Sequence, residues 1–233
     1  MIYEPETIRI FDKILENGDQ ILIAGAHQGY FAVYCSCLIG TSGKIFAFEP
    51  EPDNRKILID TTKNLDNVEV FPFALGDRET TAKFYINSDN DGGHALWDVS
   101  LNPINYKTQE NKQVISTEVK TIDDFLENED LSRLKVLMLD AEGSEHAILR
   151  GGINTIVDND VPFIICEINN FALKQCMTSQ ISLRNYLSMY GFMGYVMNED
   201  SLVDCMKDEV KAFIPDTEQE VVFNMLFSRR GKI

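Results

Sequence analysis

The stretch ILIAGAHQGYF, Ile21 to Phe31, followed by KIFAFEPEP, Lys44 to Pro52, decides the fold. An apolar strand runs into a turn punctuated by Gly25 and Gly29, a helix follows, and the next apolar run ends on Glu49. That acid lies about 20 residues past the turn, the spacing of a mononucleotide-binding βαβ half. Glycines there let the backbone approach a ligand, and the carboxylate accepts hydrogen bonds from the two ribose hydroxyls of an adenosine group. The pattern is not the dinucleotide G-x-G-x-x-G, because His27 takes the place of the middle glycine. This steers the reading away from a nicotinamide enzyme and toward S-adenosylmethionine.

Outward from this unit, strands and helices alternate. Ile8, Ile10, Phe11, Ile14 and Leu15 recur at helical spacing before Gly18. Strands are expected over residues 20–24, 44–48 and 68–73, with helices over 30–39 and from Pro52, a residue suited to the first helical position. Between Leu75 and Leu134 the alternation breaks. Residues 82–87 and 114–119 look like strands, separated by a polar stretch containing Gly92-Gly93 and Asn102-Pro103. A structureless connection of that length is implausible inside a domain, so a small β insertion is expected, followed by a short helix over 122–126. Alternation then resumes with strands over 134–139, 162–166, 192–197 and 221–227 and helices over 145–157 and 181–190. The expected architecture is an α/β three-layer sandwich. Its mostly parallel, seven-stranded sheet ends in an antiparallel edge pair. One domain would cover 1–233, with an N-terminal helix inside 1–18 and the insertion inside 76–133.

The chain has 233 residues, 44% of them hydrophobic, enough for one continuous core. No run approaches the roughly 18 apolar residues of a membrane span, and Glu4 and Glu6 stand where a signal peptide would not place them. Cys35, Cys37, Cys166, Cys176 and Cys205 are scattered and read as reduced thiols, so a cytoplasmic protein is expected. A net charge of −16 opposes nucleic-acid binding and favours a cationic ligand such as S-adenosylmethionine. The basic cluster at 228–232 reads as a solvated tail.

In an open parallel sheet, ligands sit outside the carboxyl ends of the strands. Those ends carry Ala24 to Gln28, Glu49 and Pro50, Ala74 to Gly76, Asp140 to Ser144, and Glu167 to Asn169. With AGAHQGYF, FEPEPDN, FALGDRE, VKTIDDFL, VLMLDAEGSEHAILRGG and FIICEIN in this order, the chain from about Ile21 to Ile168 resembles the FkbM family of S-adenosylmethionine-dependent methyltransferases. The resemblance implies a class I, Rossmann-like methyltransferase fold. It also implies that Gly25, Ala26, His27 and Gly29, with Tyr30, line the methionine part of the cofactor. Glu49, with Pro50, would hold the ribose, Ala74 and Leu75 would flank the adenine, and Asp140 would face the cofactor. Three positions depart from the family's usual residues: Ile23 stands for Asp, His27 for Asn and Met138 for Lys.

A sugar or alcohol hydroxyl is a weak nucleophile and needs a base, worth about 10²–10⁴-fold, or a metal. Asp140 and Glu142 are two apart, so both face the methyl donor if the strand persists; they are expected to activate the acceptor, with Glu142 as base. Glu167 and Asn169 beside Asp140 form an oxygen-rich set suited to Mg²⁺ or Ca²⁺, although no metal ligand is assigned. His94, in the loop that carries Trp97, reads either as an exposed loop residue or as part of a lid over the acceptor. Glu145 is expected in the first turn of a helix, as a favourable charge at its N-terminus, and His146 is expected to be structural. The leading function is an O-methyltransferase acting on a hydroxyl of a small molecule or saccharide, without nucleic-acid or membrane partners; a homo-oligomer is left open. The alternatives are a catalytically silent S-adenosylmethionine-binding module, motivated by Ile23 and Met138, and, further behind, an NAD-dependent oxidoreductase.

Overall fold

The computed structural model describes residues 3–198, 202–204 and 222–229. Helix α1 (Pro5–Ile14) starts on a proline and buries Ile8, Ile10, Phe11 and Ile14 along one face. Then come β1 (Gln20–Ala24), α2 (Tyr30–Ile39), β2 (Lys44–Phe48), α3 (Pro52–Thr62) and β3 (Val68–Phe71), with the three strands parallel in the order β3-β2-β1. Alternation along β1 sends Ile21 and Ile23 to the face covered by α1 and α2, and Leu22 and Ala24 to the other. Both faces are therefore apolar, as a parallel sheet covered on two sides requires.

The insertion forms its own three-stranded sheet, ordered β4 (Ala74–Leu75), β6 (Gln113–Lys120) and β5 (Thr80–Ile86), with α4 (Tyr106–Glu110) between its long strands. After α5 (Ile122–Phe125) the main sheet continues with β7 (Leu134–Leu139) beside β1, and β8 (Phe163–Asn169) beside β7. The helix expected over 145–157 is broken into α6 (Glu145–Gly151) and α7 (Ile153–Asp158). The cause is packing: a Cβ on Gly151 would lie 2.0 Å from the Gly76 carbonyl oxygen, so the chain turns where two glycines allow close approach to the insertion.

Helices α8 (Asn170–Gln175) and α9 (Gln180–Met189) lead into β9 (Phe192–Met197), β10 (Leu202–Asp204) and β11 (Val222–Arg229). Strand β11 lies antiparallel between β8 and β9, which gives the seven expected strands and their antiparallel edge. The three-residue β10 pairs on the outside of β9 as an eighth strand that the sequence pattern did not announce. Arg229, read as part of a solvated tail, is instead fixed: its Nε and Nη2 donate to the carbonyls of Val161 and Ile156, and Nη1 pairs with Asp160 at 3.1 Å. The rest of that basic cluster, 230–232, lies outside the described residues, as does Cys205. Cys35 is buried and Cys37 exposed, and with Cys166 and Cys176 both are free thiols. Among the described residues no helix is long and apolar enough to cross a membrane.

Candidate functional site

A cavity of about 500 Å³ opens at the carboxyl ends of β1, β2, β7 and β8, beneath the insertion. Its floor is the turn after β1. Gly25 has φ +80°, and a Cβ there would fall 1.7 Å from the Asp140 carbonyl oxygen, so only glycine lets β1 and β7 close together at this point. His27 has φ 50°, a left-handed conformation that Asn and His accept more readily than most residues. Gly29 does not reach the cavity wall. It has φ +95° and faces Leu58 of α3, so its place is to start α2 without a clash.

Glu49 is buried at the end of β2 and lines the cavity. One carboxylate oxygen accepts the His27 N–H and the other the Glu51 N–H, each at 2.8 Å. One lone pair on each oxygen remains for a ligand. Burial pushes its carboxyl up to about 7, against the opposing pull of those two N–H groups. Pro50 and Tyr30 line the same wall, and Ala74, Leu75, Phe73 and Phe84 make an apolar end suited to a flat ring.

The insertion loop closes over this end. Asp91 takes Gln28 Nε2 at 3.2 Å and lies 3.8 Å from His27 Nε2, while Asn54 donates to the Asp91 carbonyl at 2.7 Å. His94 lines the cavity and is not an exposed loop histidine. Its Nδ1 accepts the Asn87 N–H at 2.9 Å, so the neutral ring carries its proton on Nε2 and offers a donor rather than a base. Burial lowers its pKa, which favours that neutral form, and its charged neighbours are Glu51, His27 and Asp91. His94 thus lies at the cavity end that also carries Asp91 and His27. Trp97, further along the loop, reaches the opposite end, where its indole N–H donates to the Glu142 carbonyl at 2.8 Å.

That opposite end is acidic. Strand β7 stops at Leu139, so Asp140 and Glu142 do not share a face through strand alternation as expected. Glu142 has φ 48° and Gly143 φ 96°, and the turn they form carries both acids to the cavity wall. Glu145 holds that turn: its Oε1 accepts the N–H groups of Ala141 and Gly143 at 2.9 and 3.1 Å. Buried there, its carboxyl is pushed up to about 7. Asn169 donates to Glu142 Oε2 at 3.0 Å. Burial first and neighbouring acids second raise the pKa values of Asp140, Glu142 and Glu167, and Glu167 hydrogen-bonds Asp140. Among the described residues no three His, Cys, Asp or Glu side chains are arranged to hold a metal, so the expected Mg²⁺ or Ca²⁺ set is not assembled.

Two contributors escaped the sequence reading. Tyr3 lines the cavity, and Glu4 acts on Asp140 and Glu167, yet neither carries a motif. Asn54 had a signal, since it ends the FEPEPDN block. Ile23 and Met138 are buried and are register partners across β1 and β7. The two positions therefore form one apolar pair in adjacent strands. His146 is hydrogen-bonded to Thr178 Oγ1 at 2.6 Å and packs against the Tyr186 ring.

A Rossmann-like sheet with a glycine turn, a buried acid at the end of β2 and a cavity over β1 and β7 defines the class I methyltransferase fold. Residues 24–194 match the methyltransferase FkbM domain, and the chain belongs to that family. It is 26% identical over 153 residues to the 2-O-methyltransferase NoeI of Sinorhizobium fredii, covering 63% of this chain and 60% of that one. It is 30% identical over 174 residues to the hexuronic acid methyltransferase AglP of Haloferax volcanii, covering 71% and 62%. The alignments thus span about 60% of the length of these curated relatives. Among solved structures, the FkbM methyltransferase of Methylobacillus flagellatus superposes with a TM-score of 0.56 at 11% identity, covering 94% of this chain and 50% of that one. An rRNA methylase of Streptococcus thermophilus superposes at 0.51 and 11%, covering 98% of each chain. At these identities the superpositions show the fold alone.

Proposed function

We propose that this chain is an S-adenosylmethionine-dependent O-methyltransferase whose acceptor is a hydroxyl of a saccharide or other small molecule. The observation that carries the reading is a single cavity with Glu49 at one end and the Asp140–Glu142 turn at the other. The names of the two curated relatives, a 2-O-methyltransferase and a hexuronic acid methyltransferase, support the acceptor class. The free thiols are compatible with a cytoplasmic, one-domain enzyme.

Bound, S-adenosylmethionine supplies a methyl group on a sulfonium, already a good electrophile. Glu49 would accept hydrogen bonds from the ribose hydroxyls, Ala74 and Leu75 would flank the adenine, and Gly25, Ala26 and His27 would receive the methionine part. His94 donates from Nε2 at the ribose end. Asp140 would face the positive charge near the sulfur. Glu142 takes the hydroxyl proton: its raised pKa makes it a stronger base than an exposed carboxylate, and Asn169 and Trp97 hold it in place. Alignment of acceptor and methyl within a closed cavity supplies much of the remaining acceleration.

The test is calorimetry with S-adenosylhomocysteine and NAD⁺, followed by transfer of labelled methyl to a small-molecule extract. Binding of the former, with transfer reduced about 10²-fold or more by Glu142→Gln, is the expected result. Tight NAD⁺ binding without S-adenosylhomocysteine binding rejects the reading. Cofactor binding without transfer by the unaltered chain favours the silent module.

A further inference from the structure

The cavity wall carries five carboxyls, Glu49, Asp91, Asp140, Glu142 and Glu167, and among the described residues no Lys or Arg side chain lines it. Arg55, on α3, is turned to the carbonyls of Glu49 and Pro50. The acids are divided by the strand order. Glu49 ends β2 and Asp91 closes over that same end, while Asp140 follows β7 and Glu167 lies on β8, beyond β7 from β1. At a strand spacing of about 4.8 Å, β8 is roughly 10 Å from β1 and 14 Å from β2. A cofactor whose nucleoside rests over β1 and β2 brings its sulfonium and ammonium to Asp140. Glu142 and Glu167 lie further out, on the acceptor's side. One atom there is unanswered: Glu167 Oε2 is buried without a hydrogen-bond partner.

Resting on the methyltransferase reading, we infer that the acceptor carries a positively charged amino group near the hydroxyl that is methylated, and that Glu167 holds it. An ammonium supplies three donors and a charge, which answers the unpartnered oxygen and lets the clustered carboxyls ionise together. A neutral polyol supplies donors without the charge. A uronate would set a carboxylate against carboxylates with no cation between them, so the acceptor differs in charge from the hexuronic acid named for the Haloferax relative. Glu167 is a specificity-determining residue in this scheme, and Glu142 remains the base.

Trp97 is the sole tryptophan of the chain and touches Glu142, so its emission reports on this corner. Protein saturated with S-adenosylhomocysteine is titrated with glucosamine, N-acetylglucosamine, glucose and glucuronate. Glucosamine is expected to bind about tenfold or more tightly than the two neutral sugars, the scale of one charge-assisted hydrogen bond, and glucuronate to give no saturable change. Glu167→Gln keeps a donor toward Asp140 but removes the charge, and is expected to abolish the preference. Equal binding of glucose or glucuronate, no response to glucosamine, or a preference that survives Glu167→Gln overturns the inference. Calorimetry with S-adenosylhomocysteine on the same samples verifies folding of the variant and separates the two readings. A chain that takes up the nucleoside without amine preference loses only this inference, whereas one that does not take it up loses the methyltransferase reading as well.

Discussion

Replacing Glu49 by Gln separates a binding role from a structural one, because the two effects on stability oppose each other. Burial raises the Glu49 carboxyl from 4.5 to about 7, so at pH 8 the ionised side chain costs the empty protein about 3 kcal/mol relative to the unfolded chain. Gln removes that cost. It also has one carbonyl oxygen for the two backbone N–H groups of His27 and Glu51, leaving one N–H unmatched at about 1–3 kcal/mol. The terms nearly cancel, and the melting temperature of the empty protein at pH 8 is expected to stay within about 5 °C of the parent. Cofactor binding has no such compensation. Two ribose hydroxyls lose a charged acceptor, worth about 1.5–3 kcal/mol, so affinity for S-adenosylhomocysteine falls about 10- to 150-fold by calorimetry. Unchanged affinity, with or without a fall in melting temperature, would refute the assignment of Glu49 to the ribose. Glu49→Ala, which removes every acceptor, is expected to weaken binding further.

Glu49 and Glu145 keep their protons to about pH 7 when folded but release them near 4.5 when unfolded. The folded state therefore binds more protons in this window, and urea denaturation should find the empty protein less stable at pH 8 than at pH 5. Ionised carboxylates also favour a cationic cofactor. Binding of S-adenosylmethionine should thus tighten with rising pH and release protons, measured by calorimetry in buffers of different ionisation enthalpy; proton uptake would contradict the acidic-cavity argument. Ile23→Asp and Met138→Lys each place an uncompensated charge in the core and should cost about 3–5 kcal/mol in denaturant titrations. The double variant should recover at least about 1 kcal/mol of the summed loss, since the two positions are register partners; strict additivity would show that they do not act as a pair. Trp97→Phe keeps a ring against Phe171 but removes the donor to the Glu142 carbonyl. Methyl transfer should fall about tenfold, the scale of one hydrogen bond, with affinity for S-adenosylhomocysteine unchanged.

The readable features were local. Strand periodicity marked β1, β2 and β7 at their observed limits, because burial on both faces leaves a nearly unbroken apolar run, and it marked β9 at its limits although only its ends are fully buried. The glycine turn, Glu49 and Asp140 were legible because in such a sheet the ends of the strands face the ligand, whatever the remainder of the chain does. Glu142 was placed at the cavity for the wrong reason. Alternation was expected to carry it there, whereas a left-handed turn clamped by Glu145 does so.

What the sequence by itself determined is the sheet, the glycine turn at the cavity floor and the acids along its edge, all set by patterns spanning a few residues. Only the tertiary structure decided how the cavity is closed and what character its far end has. Asn54 meets Asp91 across 37 positions, Trp97 meets Glu142 across 45, and Asn224 bonds Glu4 across 220, fixing the start of α1 near the acidic corner. Such contacts leave no periodic trace, because neither partner is required by its neighbours in the chain. The cavity's acidity has the same origin: acids that are unremarkable one at a time raise one another's pKa when folding buries them side by side.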